Sequence, residues 1–323
     1  MTKNTKYGII SDVHDNPRVV PLAIDVLKSK GVEKLLVNGD IGGTKETLQD
    51  SQNYTAFILD SIGKSGLESF VMPGSHETLL GYTPVINHFA DKYNNIFDIQ
   101  KISHVDNNGH RLIFLPGSDF LCGGEYEFGN GNLSSGKYFY NGENLFNLEP
   151  EQYAQLKEGQ RQFQYANIND IKEYANKPEK TIVVSHVPRK FHNIDEAVDV
   201  AEFGEVTEDF NLNGDNVKKG AVFPLPVAMQ IAKTGAPVLI KKENRGNGDL
   251  KNLYEDLGIT KAVSAHFHES GHRANDDSGN HVRENTFTDN LFYNSGCLDN
   301  SQAGILIVRE DAKVSYENVK MVF

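Results

Sequence analysis

The stretch Tyr7-Gly8-Ile9-Ile10-Ser11-Asp12-Val13-His14 joins a short apolar strand to two polar residues, and the same pattern recurs twice soon after. Leu35-Leu36-Val37 leads into Asn38-Gly39-Asp40, and Phe70-Val71-Met72 leads into Pro73-Gly74-Ser75-His76-Glu77. Helix-like segments separate these strands, one from Pro17 to Gly31 and one over residues 45–62. Continuous apolar strands between helices indicate an α/β sheet that is covered on both faces.

Later apolar runs extend this sheet, with a hairpin turn at Asn107-Asn108-Gly109 before the first of them. The runs are residues 111–115, 181–184, 262–264, 291–293 and 305–308. Two stretches do not fit a compact sheet: residues 119–150, rich in Gly, Asn and aromatics, and residues 189–250, polar loops with one possible helix at 226–233. We interpret residues 1–323 as a single domain with insertions at about 119–150 and 189–250.

Composition narrows the class of function. Apolar residues make up 38% of the 323 residues and charged residues 24%, which is typical of a soluble globular protein. No run is long and apolar enough for a membrane span, and the polar start lacks a signal core, so we expect a cytoplasmic protein with no membrane partner. The net charge of −12 opposes binding to long nucleic acid. Two cysteines, Cys122 and Cys297, are too few for a cysteine-based metal site.

Residues of ligand type follow five of the apolar strands. They are Asp12 with His14, Asp40, Ser75 with His76, His186, and His266 with His268. In open α/β sheets the ligand site lies outside the carboxyl ends of the strands, so these five strand ends could meet. Asp and neutral His bind borderline divalent ions such as zinc, manganese or iron. The single residue between Asp12 and His14, and between His266 and His268, lets both members of each pair face one ion.

The order of these motifs resembles the calcineurin-like metallophosphoesterase superfamily. The family pattern is Asp-x-His, Gly-Asp, Gly-Asn-His-Glu, a lone His and Gly-His-x-His, and each has a counterpart here in the same order. Tyr293-Asn294-Ser295-Gly296-Cys297-Leu298 is similar to the family's terminal strand and turn. The match extends over residues 6–310. The resemblance implies two packed mixed β-sheets flanked by helices, a four-layer sandwich.

The resemblance also implies a role for each residue of the motifs. One metal ion would be held by Asp12, His14 and His268. The other would be held by His186, His266 and, weakly, Ser75. Asp40 would bridge both ions, a water or hydroxide between them would be the nucleophile, and His76 would lie beside the leaving group or the scissile phosphate.

Two positions depart from the family pattern. Ser75 stands where the family has Asn, and a hydroxyl is a poorer neutral ligand than an amide oxygen. Gly43 stands where many members have a carboxylate that orients the histidine equivalent to His76. These departures favour an alternative, a scaffold of the same fold with weak or absent catalysis. A nuclease that works with a partner chain is a third hypothesis, and the net charge opposes it.

We therefore expect a hydrolase of phosphate esters with two divalent ions, manganese, iron or zinc. The substrate would be a small phosphodiester, phosphomonoester or nucleotide, and the oligomeric state stays open. Arg189 could clamp a phosphate oxygen or be a solvated surface residue. The aromatics between Phe120 and Phe146, among them Tyr126, Tyr138, Phe139 and Tyr140, could stack on a nucleobase or pack the insertion against the domain. We expect His272 at the surface.

Overall fold

The computed structural model describes residues 4–147, 161–212 and 214–322. The strands in these residues are β1 (Thr5–Ile10), β2 (Lys34–Asn38), β3 (Glu68–Met72), β4 (Ile96–Asp98), β5 (His104–Asn107), β6 (His110–Leu115), β7 (Tyr126–Gly129), β8 (Gly136–Tyr140), β9 (Leu145–Asn147), β10 (Arg161–Asn167), β11 (Thr181–Ser185), β12 (Val200–Val206), β13 (Phe210–Leu212), β14 (Asp215–Val217), β15 (Val222–Pro224), β16 (Val238–Asn244), β17 (Lys261–Ser264), β18 (Ala274–Asn275), β19 (Leu291–Asn294), β20 (Gln302–Val308) and β21 (Val314–Lys320). The α-helices are α1 (Val19–Ser29), α2 (Leu48–Ser65), α3 (Leu79–Lys92), α4 (Ile171–Tyr174), α5 (Leu225–Lys233) and α6 (Gly248–Leu257). No helix in the described residues has the length and apolar character that a bilayer crossing requires.

Two mixed six-stranded sheets form the centre of the molecule. The first has the order β21-β20-β1-β2-β3-β4, in which β1 to β4 run parallel and β20 and β21 pair antiparallel. The second has the order β18-β19-β17-β11-β6-β5, in which the four inner strands run parallel and the two edge strands antiparallel. Each sheet thus brings the carboxyl ends of several parallel strands to one edge.

Three apolar cores separate the layers. Side chains of both sheets fill the middle core, among them Ile9 and Leu36 from the first sheet and Leu112 and Val184 from the second. The outer face of the first sheet packs against α1, α2 and α3. The outer face of the second sheet packs against α4 and α6. The layers are helix, sheet, sheet and helix, and the prediction of two packed mixed sheets flanked by helices is confirmed.

The first strand shows how the sequence builds these layers. Tyr7 and Ile9 point into the middle core, whereas Ile10 packs on the helical side. Alternate residues of a strand point to opposite faces, so a continuous apolar run serves both cores. Gly8 lies under α1, where an added Cβ would come within 3.0 Å of a methyl carbon of Leu27. The glycine therefore allows the helix to approach the sheet closely.

The two stretches interpreted as insertions contain more regular structure than the sequence indicated. The first contributes β7, β8 and β9 to a four-stranded sheet with β10. The second was expected to be loops with one helix; α5 is that helix, but β12, β15 and β16 form a three-stranded sheet and β13 pairs with β14. β13 to β16 are half exposed, and β12, although mostly buried, has Glu202, Gly204 and Glu205 among its apolar residues, so these strands lack the continuous apolar signal of the central ones. The single-domain boundaries stay a prediction.

Candidate metal centre

The residues of the five motifs lie at the carboxyl ends of strands in both sheets. Asp12 and His14 follow β1, Asp40 follows β2, and Ser75 and His76 follow β3; His186 follows β11, and His266 and His268 follow β17. Their ligand atoms form three groups of three, in each of which the atoms lie within 4.8 Å of one another. The groups are Asp12, His14 and His268; His14, Asp40 and His76; and Asp40, His186 and His266. The convergence expected from the strand ends is thus present.

The first cluster consists of Asp12, His14 and His268. The Nε2 atom of His268 lies 3.1 Å from Oδ1 of Asp12 and 3.3 Å from Nε2 of His14. Asp12 is buried, and its Oδ2 atom has no hydrogen-bond partner among the described residues. A buried carboxylate oxygen without a partner is costly, so this atom marks a place where a cation would be stabilising.

The second cluster consists of Asp40, His186 and His266. Nε2 of His186 lies 3.1 Å from Oδ2 of Asp40 and 3.3 Å from Nδ1 of His266. The other ring nitrogen of His186, Nδ1, lies 2.8 Å from the carbonyl oxygen of Asn38. Because a carbonyl only accepts, Nδ1 carries the proton and Nε2 faces the cluster. A backbone acceptor that fixes the tautomer in this way is typical of histidine metal ligands.

The two clusters adjoin. Nε2 of His186 in the second lies 4.0 Å from Oδ1 of Asp12 in the first. His76 lies beside both, with Nε2 4.0 Å from Oδ2 of Asp40 and its ring centroid 4.7 Å from that of His14. The His76 side chain is 35% exposed, whereas those of Asp40 and His186 are buried, so His76 is at the solvent side of the centre.

Asp40 and Ser75 are joined directly. The Asp40 Oδ1 atom accepts hydrogen bonds from the backbone N–H groups of Ser75 at 2.6 Å and His76 at 3.0 Å. Ser75 also donates its hydroxyl to Oδ2 of Asp40 at 2.8 Å. The hydroxyl proton is therefore committed to Asp40. Among the described residues, no contact indicates that Ser75 takes the place of the family's amide ligand.

The backbone is strained at three of these residues. Asp12, Asp40 and His266 have φ values of 54°, 53° and 68°. Left-handed backbone costs energy for residues other than glycine, and it persists where surrounding contacts hold it. Such strain clusters at functional sites. Here it falls on one residue of each of three motifs.

Buried hydrogen bonds hold the loops in these conformations. Glu77 is fully buried, and its carboxylate accepts from the backbone N–H groups of Ile41, Gly42 and Gly74 at 2.6–3.0 Å. It therefore ties the loop of Asp40 to the loop of Ser75. Because Glu77 belongs to none of the three groups of candidate ligands, it is a positioning group and not a replacement for the missing amide ligand.

The loop after β1 is held in a similar way from the far end of the chain. Asp299 accepts hydrogen bonds from the N–H groups of His14 and Asp15, both at 2.8 Å. The carbonyl of His14 accepts from the Lys45 ammonium at 2.6 Å, and the carbonyl of Val13 accepts from the Tyr54 hydroxyl at 3.0 Å. These contacts fix the direction in which His14 points.

The buried carboxylates of the centre favour positive charge on the groups beside them. Burial opposes a charge on His268, but the Asp12 carboxylate outweighs it and raises the pKa of His268 to about 12. The same balance with Asp40 raises the pKa of His186 to about 9. Burial and the neighbouring His186 lower the pKa of His266 to about 3. Protons on two histidines therefore balance two buried carboxylates, and divalent ions would displace those protons.

The residues present fit metal ions. The donors are carboxylate oxygens and imidazole nitrogens, the set that zinc, manganese and iron share. The unpartnered Oδ2 of Asp12 and the backbone-anchored ring of His186 are arranged as ligands would be. The described residues thus include Asp and His groups that could hold metal ions.

The sequence also raised expectations for Arg189, for the aromatic residues of the first insertion and for His272. Arg189 is neither a phosphate clamp nor a solvated residue, because it is 4% exposed and its guanidinium stacks over Phe191 and Phe292. Tyr126 is buried in the core beside α3, so packing accounts for it, and Tyr138 packs against the insertion's own core. His272 is half-buried, with Nε2 2.9 Å from a backbone carbonyl, so the expectation of a surface residue was wrong.

Gly43 lies against His76. An added Cβ there would come within 3.5 Å of the His76 Cβ, so a side chain at this position would contact that histidine.

Sequence reasoning assigned no role to Asn38, Asp299 and Asn294. Asn294 donates to the carbonyls of Ala265 and Phe267, which shapes the loop of the last two histidines. These residues act through backbone contacts, for which the sequence holds no periodic signal.

Comparisons with known proteins found a matching family model and similar solved structures. The model of a family described as calcineurin-like phosphoesterase matches residues 5–270. No curated protein matches the sequence. Among solved structures, the protein TT1561 of Thermus thermophilus is similar with a TM-score of 0.52 at 8% identity, over 98% of this chain and 99% of that one. A dimetal phosphatase from Danio rerio gives a TM-score of 0.48 at 9% identity, over the same shares of the two chains.

Proposed function

The chain belongs to the calcineurin-like phosphoesterase family, and from that premise we propose that it hydrolyses small phosphate esters at a centre of two divalent metal ions. The resemblance found in the sequence is thereby confirmed. The observation that carries the proposal is the pair of adjoining Asp/His clusters at the carboxyl ends of both sheets. A single structural ion would not need two such sets.

Each ion has its own residues in this proposal. Asp12, His14 and His268 hold one ion. His186 and His266 hold the other, with Ser75 as a weak neutral ligand, and Asp40 lies between the two sets. Two ions bound by these residues would neutralise the charge of the phosphate and lower the pKa of a water molecule. Manganese, iron and zinc all suit this donor set.

His76 is the proposed catalytic side chain. It is the most solvent-accessible member of its group with His14 and Asp40, and no carboxylate stands at Gly43 to hold its ring. From this position its Nε2 can donate a hydrogen bond to the scissile phosphate or to the leaving oxygen. Its backbone N–H binds Asp40, so the ring is placed by the same residue that lies between the ions.

The test is hydrolysis by the purified protein over a panel of chromogenic phosphomonoesters and phosphodiesters, with the metal content measured on the same samples. We expect turnover with manganese, its loss on treatment with a chelator and its return on re-addition. Metal bound at two equivalents with no turnover on any ester would favour the scaffold hypothesis, which the departures at Ser75 and Gly43 support. Absence of bound metal would contradict the metal centre itself.

A further inference from the structure

The second insertion ends beside the metal centre. Its last residues, Arg245, Gly246 and Asn247, follow β16 and precede α6. The Asn247 N–H donates to the carbonyl of Pro188, two residues after His186, at 2.9 Å. The Asn247 side chain also donates to Asp119 in the first insertion at 2.5 Å. The segment therefore joins both insertions to the loop of a proposed metal ligand.

The backbone of Arg245 is fixed within this segment. Its N–H donates to the carbonyl of Asp199 at 2.9 Å, and the next N–H, of Gly246, donates to the Asp199 carboxylate at 3.2 Å. An added Cβ on Gly246 would collide with the backbone of Arg189, so only glycine allows this close approach. The Arg245 side chain thus starts from a rigid position and not from a loose loop.

Aromatic rings hold the Arg245 guanidinium beside Phe120, whose ring stacks on that of His266. The guanidinium carbon lies 4.9 Å from the ring centroid of Phe203 and 5.8 Å from that of Phe120. The Phe120 ring is nearly parallel to the ring of His266, with centroids 5.7 Å apart. One aromatic side chain therefore separates the guanidinium from a proposed metal ligand. Stacking on two rings orders the side chain before any ligand arrives.

The hydrogen-bonding capacity of this guanidinium is unused. The side chain is 35% exposed, and among the described residues no atom accepts a hydrogen bond from it. Its ion pair is with Glu243 at 3.9 Å, and Glu243 is itself 44% exposed and shared with Lys241 at 3.6 Å. A weak, exposed pair of this kind contributes little and can be exchanged for a stronger anion. The planar fork suits phosphate or carboxylate in two-point contact.

We infer that Arg245 determines specificity by binding a second anionic group of the substrate, a phosphate or carboxylate carried beside the scissile phosphate. This inference rests on the proposed function, since it places the scissile phosphate on the metal ions. The substrate class is accordingly a phosphate ester with at least two separate anionic groups. A phosphate ester with a neutral remainder leaves Arg245 with only its weak ion pair to Glu243.

The test measures binding and not turnover, so that it does not depend on catalysis. Phenylphosphonate and its 3-carboxy and 4-carboxy derivatives are titrated by calorimetry into the manganese-loaded protein, wild type, Arg245→Met and Arg245→Lys. We expect a carboxy derivative to bind at least tenfold more tightly than phenylphosphonate to the wild type. This preference should fall below twofold in R245M and stay partial in R245K, which keeps the charge without the fork.

The matched control is Lys218→Met, which removes an exposed cation of the same insertion that is paired with Asp209. This variant should keep the full preference, and thermal unfolding of all variants checks that the fold is intact. A preference that persists in R245M, or its absence in the wild type, would overturn the inference. Failure of phenylphosphonate itself to bind the metal-loaded protein would instead count against the proposed metal centre, so the two failures are distinguishable.

Discussion

At the scale of single residues, Asp40 has both carboxylate oxygens engaged: Oδ1 with two backbone N–H groups, and Oδ2 with the Ser75 hydroxyl and the ring of His186. In Asp40→Asn the amide would place an N–H group toward one of these donors and would remove the charge between the two ions. We expect activity to fall at least 100-fold and the metal content of both sites to fall. Activity and bound metal are measured on the same preparations.

The control for this variant is Asp25→Asn, an exposed carboxylate on α1. It loses the same charge at a distance from the centre and should keep wild-type activity and metal content. If D40N retained near-normal turnover, Asp40 would not lie between two ions.

Ser75 offers a second test at this scale, since its side chain already points at Asp40. An amide oxygen reaches further than a hydroxyl and donates more electron density to a cation. Ser75→Asn should therefore lower the manganese concentration that gives half-maximal activity. Ser75→Ala, which removes the hydroxyl, should raise it. Unchanged or weaker metal dependence in S75N would mean that the hydroxyl already ligates well or that the loop around Cys122 leaves no room.

His110, which lies away from the centre, should make the stability of the fold depend on pH. It is 3% exposed, and burial lowers its pKa from 6.5 to about 4. Between these values the unfolded chain binds more protons than the folded one, so this residue makes stability fall as the pH drops from 6.5 toward 4. The slope is at most about 1.4 kcal/mol per pH unit.

His110→Gln removes the titration and keeps an amide for the Tyr7 hydroxyl, which lies 2.8 Å from the ring. Urea unfolding at pH 7 and pH 5, with metal removed, should show a smaller loss of stability in H110Q than in the wild type. Equal losses in the two proteins would show that His110 titrates normally in the folded state.

At the scale of elements, the loop between β1 and α1 depends on Asp299, which follows β19 near the end of the chain. It accepts from the N–H groups of His14 and Asp15, so it sets the direction of His14 without touching a metal ion. Loss of such a supporting contact typically lowers metal affinity about 10–100-fold. Asp299→Ala should weaken one ion by about tenfold, seen in a metal titration, while the second ion is retained.

The exposed Asp289 provides the comparison for this loop, since it belongs to the same part of the chain and its carboxylate pairs with Lys313 at 3.3 Å. Asp289→Ala should keep the wild-type metal titration. Equal weakening of both ions in D299A would mean that the residue supports the whole fold and not this one loop.

The central strands could be predicted from the sequence because the side chains of each strand pack into two apolar cores. β1, β2 and β3 are continuous apolar runs ended by polar residues, and the turn at Asn108 and Gly109 has the positive φ values that its sequence indicates. The sequence did not show α3, which has Pro84 inside it, or the strands of the second insertion. β16 is a half-exposed strand rich in lysine, so its pattern does not separate a strand from a loop.

The convergence of the candidate site residues could be predicted from the sequence, while their roles stay a prediction. Ligand-type residues at strand ends carry their own signal, and the structure brings the residues of all five motifs together. The supporting residues could not be predicted in the same way. Asp299 and Glu77 act through backbone N–H groups of distant loops, and Arg245 lies against Phe120 only because two insertions pack together. Such contacts depend on tertiary structure and leave no motif.

At the scale of the whole molecule, both sheets contribute residues to the centre. The first sheet supplies Asp12, His14, Asp40, Ser75 and His76, and the second supplies His186, His266 and His268. The middle core packs the sheets face to face, so its packing sets the distance between the two groups of ligands. The central proposal therefore concerns the assembled molecule: two ions would bind where the carboxyl ends of both sheets meet.

Anomalous diffraction at the manganese edge, on crystals of the full chain grown with manganese, tests this claim most directly. The account predicts two peaks about 3.5–4 Å apart. One should lie among Asp12, His14 and His268 and the other between His186 and His266, with Asp40 touching both. A single peak, or peaks away from these side chains, would contradict it.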